Sequence, residues 1–367
     1  GGHLVISNIF HGNHLLIKQI PRTLVENCCD MVVRNQNYSP YPMLILESLV
    51  SYENADTAGS LELQHNILHE LTHPGRHELT MYTCGGDPGH SDYQERIAMM
   101  KQAEDELASH NANDLVEDLF SHIPKKLRYH VHLLYVLAGT AGGKENITTV
   151  EAKLQTILSP ESALLTLLDP ETIIDVMIPV AYYFYDVCID VEITVEGLAR
   201  STNMWKFIHA SKGVIQDAAA NFELMSKSNS PTQENCAARR KIQYLLLCVQ
   251  IVSTFFARYY PDLYTEGIEG QDNQDFTPLD DFTLGEDADD FTPVESLTTG
   301  TLQDQEFKQL RWNTDQVMDY VYELESMTAL CAHLIQENHL KVLEESRDLL
   351  KKSLSNIGVD VQEKQKT

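Results

Sequence analysis

Basic residues are scarce in this sequence. Its 367 residues hold 27 Lys and Arg against 54 Asp and Glu, a formal charge of −27 at pH 7. Phosphate backbones and anionic lipid repel so acidic a surface, which argues against nucleic acid or a charged bilayer as the main partner. Period-two alternation bounded by Asn-Gly or Asp-Gly turns is absent, so there is little case for a sheet. Long apolar runs are missing too. Ile173 to Ile189 is broken by Asp175, Pro179 and Asp186. Tyr244 to Ala257 contains Gln250 and Ser253 and falls short of the roughly 20 residues a membrane span needs. Residues 1–10, GGHLVISNIF, lack the basic start and apolar stretch of a secretory signal. Seven cysteines are scattered along the chain without a CxxC pair, and their number is odd. They read as buried thiols in a reducing compartment, not as a disulfide framework.

What is present is helical grammar. Ile242, Leu245, Leu246, Val249, Val252 and Phe256 recur mostly at offsets of three and four and line one helix face. Ser230-Pro231 with Gln233, Ser159-Pro160-Glu161 and Asp169-Pro170-Glu171 each place a capping residue, a proline and an early acid or amide at a helix start. The pattern predicts helices near 12–19, 22–34, 41–52, 61–73, 92–108, 112–122, 125–140, 146–157, 160–168, 171–189, 203–227, 232–259 and, with a break, 304–355. Many helices with short connections predict an all-α fold, an armadillo- or HEAT-like helical solenoid, although no crisp repeat period is visible. Such a length suggests two domains or an elongated array. The chain opens and closes without boundary signals and reads as part of something larger.

One stretch differs. Tyr259 to Glu306 holds 14 acidic residues and no Lys or Arg, about half of the net charge. It carries a crude repeat: Asp275-Phe276-Thr277-Pro278, Asp281-Phe282-Thr283-Leu284 and Asp290-Phe291-Thr292-Pro293. One-signed charge with little aliphatic content cannot offset the entropy of ordering. The expected organisation is a helical array over 1–260, an acidic disordered linker over 261–303, C-terminal helices over 304–358 and a tail over 359–367.

Four motifs invite chemistry. His69-Glu70-Leu71-Thr72-His73 matches HExxH, which on a helix sets two imidazoles on one face with a glutamate to activate zinc-bound water. Pro74 follows at once and should end the helix there. A third ligand has no recognised spacing at His77, His90 or Glu95. A metzincin would need glycine and histidine where this chain has Arg76 and Leu79. Gly139-Thr140-Ala141-Gly142-Gly143-Lys144 is one residue short of a P-loop, has Glu145 where magnesium binding needs Ser or Thr, and follows a helix instead of a strand. It reads as a helix C-cap. Calcium-loop registers starting at Asp280 or Asp287 put Phe282, Leu284 and Phe291 on ligand positions and fail. Thr277-Pro278 and Thr292-Pro293 offer phosphorylation sites of a common dipeptide type. His130, His132 and Trp205 read as core or interface residues. No catalytic, cofactor or metal residue is assigned, and no enzyme activity or cofactor is expected.

Tyr129-His130-Val131-His132-Leu133-Leu134, followed by Gly143-Lys144-Glu145-Asn146, resembles the central cytoplasmic region of inositol trisphosphate receptors. Leu168 to Val191 is similar to that family's helical stretch leading to a Val-Asp-x-Glu-like turn, here Ile189-Asp190-Val191-Glu192. Ser201-Thr202-Asn203-Met204-Trp205-Lys206-Phe207 resembles its Ser-Asn-x-Met-Trp-Lys, and Ile251-Val252-Ser253-Thr254-Phe255-Phe256 its Ile-Val-x-Thr-Phe-Phe. Ryanodine receptors share the architecture and are the near alternative. Glu145 and the looser flanks depart from the pattern.

The resemblance implies a homotetrameric, ligand-gated calcium release channel at the cytoplasmic face of the endoplasmic reticulum membrane. This chain would be the solenoid between a sensor upstream and a pore downstream. Its partners would be other domains of the same polypeptide, neighbouring subunits and regulatory proteins, with no nucleic acid and no direct membrane insertion by this segment. No residue here matches the family's ligand-binding positions or selectivity filter. Two other readings compete: an independent helical-repeat adaptor binding a partner in its concave face, and a zinc hydrolase acting through His69, Glu70 and His73.

Overall fold

A computed structural model describes residues 2–10, 13–35, 38–50, 58–80, 87–109, 120–142, 148–227, 233–269, 306–331 and 337–359. The fold is all-α, with no strand among the described residues. Its helices are α1 (Gly2–Phe10), α2 (His14–Ile17), α3 (Arg22–Asn35), α4 (Pro40–Val50), α5 (Ala58–Leu71), α6 (Tyr93–Ser109) and α7 (Lys125–Ala141). They continue with α8 (Thr148–Ile157), α9 (Pro160–Leu168), α10 (Ile174–Phe184), α11 (Thr202–Lys227), α12 (Gln233–Glu269), α13 (Thr314–Cys331) and α14 (Glu337–Asn356). Short 3-10 turns occur at Pro74–Leu79 and Leu198–Arg200, and α10 runs into a π-helical turn at Tyr185–Ile189.

Packing proceeds mostly between near neighbours along the chain. α4 packs on α1, α3 and α7; α10 packs on α7, α9 and α12; α11 packs on α9 and α12. The C-terminal α13 and α14 do not stand apart: α14 lies along α12 and α13 lies along α11, so these helices share the one apolar core. α12 is the centre of this half. The six residues of its predicted stripe are buried, and so are Leu247, Cys248, Ile251, Ser253 and Phe255 between them. A helix apolar on all sides is a core helix. Ala237–Pro261 within it is 25 residues long and apolar enough to cross a membrane, but 78% of its most apolar window is buried inside the protein. The apolar run read from the sequence, Tyr244 to Ala257, left out Ala237–Gln243 at its start and Arg258–Pro261 at its end. α12 also runs through Pro261 to Glu269, so residues 261–269 of the expected linker are helical. The remainder of that linker, the tail beyond 359 and most of the predicted helix 112–122 lie outside the described residues.

Local chemistry explains the boundaries. Ser159 caps α9 as expected: its Oγ accepts the Ser162 N–H at 3.1 Å, with Pro160 in the first turn. Asp169 is used differently. Its Oδ1 accepts the Glu171 N–H at 2.9 Å and its Oδ2 accepts the Tyr93 hydroxyl at 2.8 Å, so α10 starts later, at Ile174.

Gly139 marks a close approach of α7 to α4. A Cβ there would sit 2.6 Å from Val50 Cγ2 and 2.8 Å from the Val50 carbonyl oxygen. At an open helical site alanine stabilises by about 1 kcal/mol over glycine. Here Gly139→Ala is expected to destabilise by about 1–3 kcal/mol through overpacking, read by urea unfolding. A rise in stability would mean that α4 and α7 have room to spare.

Candidate functional site: an aromatic joint

The HExxH segment is built as a structural clamp. α5 ends at Leu71, so His73 lies beyond the helix. The His69 and His73 ring centroids are 6.0 Å apart, and His73 Nδ1 accepts the Gly75 N–H at 3.1 Å. Glu70 is buried, and its carboxylate takes Arg22 Nη2 at 3.0 Å, His69 Nδ1 at 3.2 Å and the Arg76 guanidinium. Arg76 also reaches Asp30 at 2.7 Å, tying the 3-10 turn back to α3. Burial alone would raise the Glu70 carboxyl; hydrogen bonds from Arg22 and His69 and the Arg76 charge outweigh it and hold the group below its ordinary value. No group of three or more His, Cys, Asp or Glu suited to a metal ion occurs among the described residues.

A carboxylate with a lowered folded-state pKa stabilises at neutral pH, and that contribution is lost as pH falls. Glu70→Gln is therefore expected to lose about 1–3 kcal/mol at pH 7, with the gap to wild type closing below about pH 4. Equal stability across that range would remove the clamp.

The Gly139–Lys144 stretch closes α7. Gly142 N–H bonds to the Ala138 carbonyl, and Gln64 Nε2 on α5 donates to the Gly139 and Gly142 carbonyls at 2.9 and 3.1 Å. Gly143, Lys144, Glu145 and Asn146 lie outside the described residues, as do the calcium-loop registers and both Thr-Pro dipeptides. Cys28, Cys29, Cys188 and Cys248 are buried. Burial raises Cys28 to about 11, and Cys29 and Cys248 to about 12, which keeps these three in the thiol form near neutral pH.

Three of the quoted landmark stretches converge at one place. Ser201 Oγ accepts the Met204 N–H at 3.2 Å and starts α11. One turn in, Trp205 is fully buried, and its indole N–H donates to the Ala199 carbonyl at 2.9 Å. Its ring meets Phe255 at 5.6 Å and 86° and Phe256 at 5.9 Å and 79°, the edge-to-face arrangement that suits aromatic quadrupoles. Phe255 stacks on Tyr259 at 5.1 Å. The Tyr259 hydroxyl accepts the Val195 N–H at 3.0 Å and donates to the Cys188 carbonyl at 3.3 Å. Arg258 Nη2 donates to Asp190 Oδ1 at 2.8 Å, and its Nη1 donates to the Val191 carbonyl. The Ile189–Glu192 turn is thus strapped to the helix that carries Phe255 and Phe256.

Two further aromatics complete the joint from beyond the acidic segment. Phe307 meets Trp205 at 6.3 Å, and Trp312, 2% exposed, stacks on Phe256 at 6.0 Å and 24°. Tyr260 donates to the Trp312 carbonyl at 3.4 Å, and Lys206 pairs with Glu306 at 2.7 Å. Tyr129–Leu134 lies one layer away on α7, fully within the core. Tyr129 donates to the Leu79 carbonyl at 2.7 Å, and His132 Nδ1 is 2.5 Å from Glu47 Oε2. His130 and His132 are accordingly core residues.

A buried ion cluster underpins α10. Asp175 takes Arg240 Nη1 at 2.9 Å and His122 Nε2 at 3.1 Å, all three nearly sealed from water. The sequence reading treated Asp175 only as an interruption of an apolar run. A charge inside such a run was the signal, because a buried charge needs a partner.

No protein-family model matches the chain, and no curated protein matches its sequence.

Proposed function

We propose that this chain is a non-catalytic coupling segment of a ligand-gated intracellular calcium release channel of the inositol trisphosphate receptor type, built as an armadillo- or HEAT-like solenoid. In this reading it lies at the cytoplasmic face of the endoplasmic reticulum membrane within a homotetramer, and it carries a ligand-induced change towards the pore. The observation that carries it is the convergence of Ile189–Glu192, Ser201–Phe207 and Ile251–Phe256 at the Trp205 joint. These stretches, each similar to a motif of that family and in the same order along the chain, share one set of contacts. A solenoid suits the role, since each helix pair contacts chiefly its neighbours and passes a displacement along. Coupling further requires an element with two arrangements that the ligand favours unequally. The joint, where α10, α11, α12 and the C-terminal helices meet, is the place for it.

The test is to isolate the native polypeptide with an antibody raised against this chain and reconstitute it in vesicles. A membrane-embedded tetramer that releases calcium on addition of inositol trisphosphate is expected. A polypeptide without membrane spans would overturn the channel reading and leave the adaptor.

A further inference from the structure

The apolar run that forms α10 widens into one π-helical turn at Tyr185–Ile189. Such turns are rare and gather where a helix is interrupted for function. This one carries Asp186 into the interior, 7% exposed, and no hydrogen-bond donor among the described residues reaches its carboxylate.

The surrounding groups are committed elsewhere. On α12, Arg258 holds Asp190 and the Val191 carbonyl, and Tyr259 bridges Val195 and Cys188. Tyr185, on the turn itself, bonds to Thr254. On α8, Glu151 accepts the Glu192 N–H at 3.4 Å, and Gln155 donates to the Val187 carbonyl at 2.8 Å. On α7, Tyr135 faces the α10 ring of Tyr182 at 6.0 Å. Three turns back, Asp175 is paired with Arg240 and His122. The one charge acting on Asp186 is Asp190, of the same sign; burial first, and then that charge, push the Asp186 carboxyl up to about 8.

We propose that this π-turn is a proton-operated hinge: with the Asp186 carboxyl protonated the turn stays packed among α7, α8, α10 and α12, and loss of that proton opens it to water. The hinge does not depend on the channel reading. A carboxyl raised in the folded state binds its proton more tightly than the unfolded chain does. Its stabilisation is complete below about pH 4 and is lost as pH rises to about 8.

The experiment compares urea unfolding of the wild-type chain and Asp186→Asn from pH 5 to pH 9. The wild-type unfolding constant, relative to the variant, is expected to rise about tenfold per pH unit and level off above about pH 8. Hydrogen exchange of the amides at 185–192, corrected for intrinsic base catalysis, should accelerate over the same range in the wild type alone. Parallel pH profiles for the two proteins would overturn the hinge. Should Asp186→Asn fail to fold, infrared spectra of the wild type with carboxyl-labelled aspartate decide it. A protonated aspartic acid band at pH 6 that fades around pH 8 is expected, and its absence at pH 6 overturns the proposal.

Discussion

Trp205→Ala is expected to destabilise the protein by about 3–5 kcal/mol, the range for truncating a buried tryptophan. Three terms add. The indole is fully buried, so its apolar area returns to water or leaves a cavity. Its edge-to-face contacts with Phe255, Phe256 and Phe307 disappear, each such pair contributing roughly 0.5–1.5 kcal/mol beyond area. The Ala199 carbonyl also loses its donor. Trp205→Phe keeps an aromatic ring and should recover more than half of the loss. Urea unfolding measures both. A loss below about 1 kcal/mol for the alanine variant would show that the joint repacks freely and cannot hold two distinct arrangements.

Asp175→Ala should produce a loss of similar size, about 3–5 kcal/mol, for a different reason. Arg240 and His122 are 4% and 1% exposed, and Asp175 is their shared acceptor. Removing the carboxylate takes a negative charge away from a guanidinium that is nearly sealed from water, so the desolvation of Arg240 is less fully offset. A double variant, Asp175→Ala with Arg240→Met, removes both charges and should be more stable than Asp175→Ala alone, because an apolar replacement of the whole pair is often near neutral. If the double variant were the weaker of the two, the other contacts of Arg240 would outweigh its Asp175 pair, and that pairing would not explain the burial.

The sequence revealed those parts of the fold that local chemistry controls. Helix 22–34 appears as Arg22–Asn35, 160–168 as Pro160–Leu168 and 203–227 as Thr202–Lys227, each with a strong apolar stripe or a capped start. Helix α1 was missed, since Gly1-Gly2 gives no cap and no early acid. The helix read over 232–259 runs on to Glu269, because the acidic composition that marked 261–303 as linker does not by itself end a helix, and a proline bends one without having to end it. The π-turn was invisible because a five-residue widening leaves the apolar pattern of Ile173–Ile189 unchanged. The joint was half legible. Trp205, Phe255 and Phe256 stood out as aromatics in apolar helices. Trp312 and Phe307 did not, because a pairing across the acidic segment leaves no periodic trace. Glu70 read as part of HExxH because the motif does not show that Arg22 and Arg76 converge on it.

The central claim is that the Trp205 joint transmits a signal. The measurement that tests it takes membranes carrying the full polypeptide, wild type and Trp205→Ala at matched expression, and records inositol trisphosphate binding and calcium release on the same preparation. Near-unchanged binding is expected, because damage in the proposed solenoid would stay local, together with reduced ligand-evoked release. Release equal to wild type, in a variant whose local stability is demonstrably lost, would contradict it and make this segment a passive spacer.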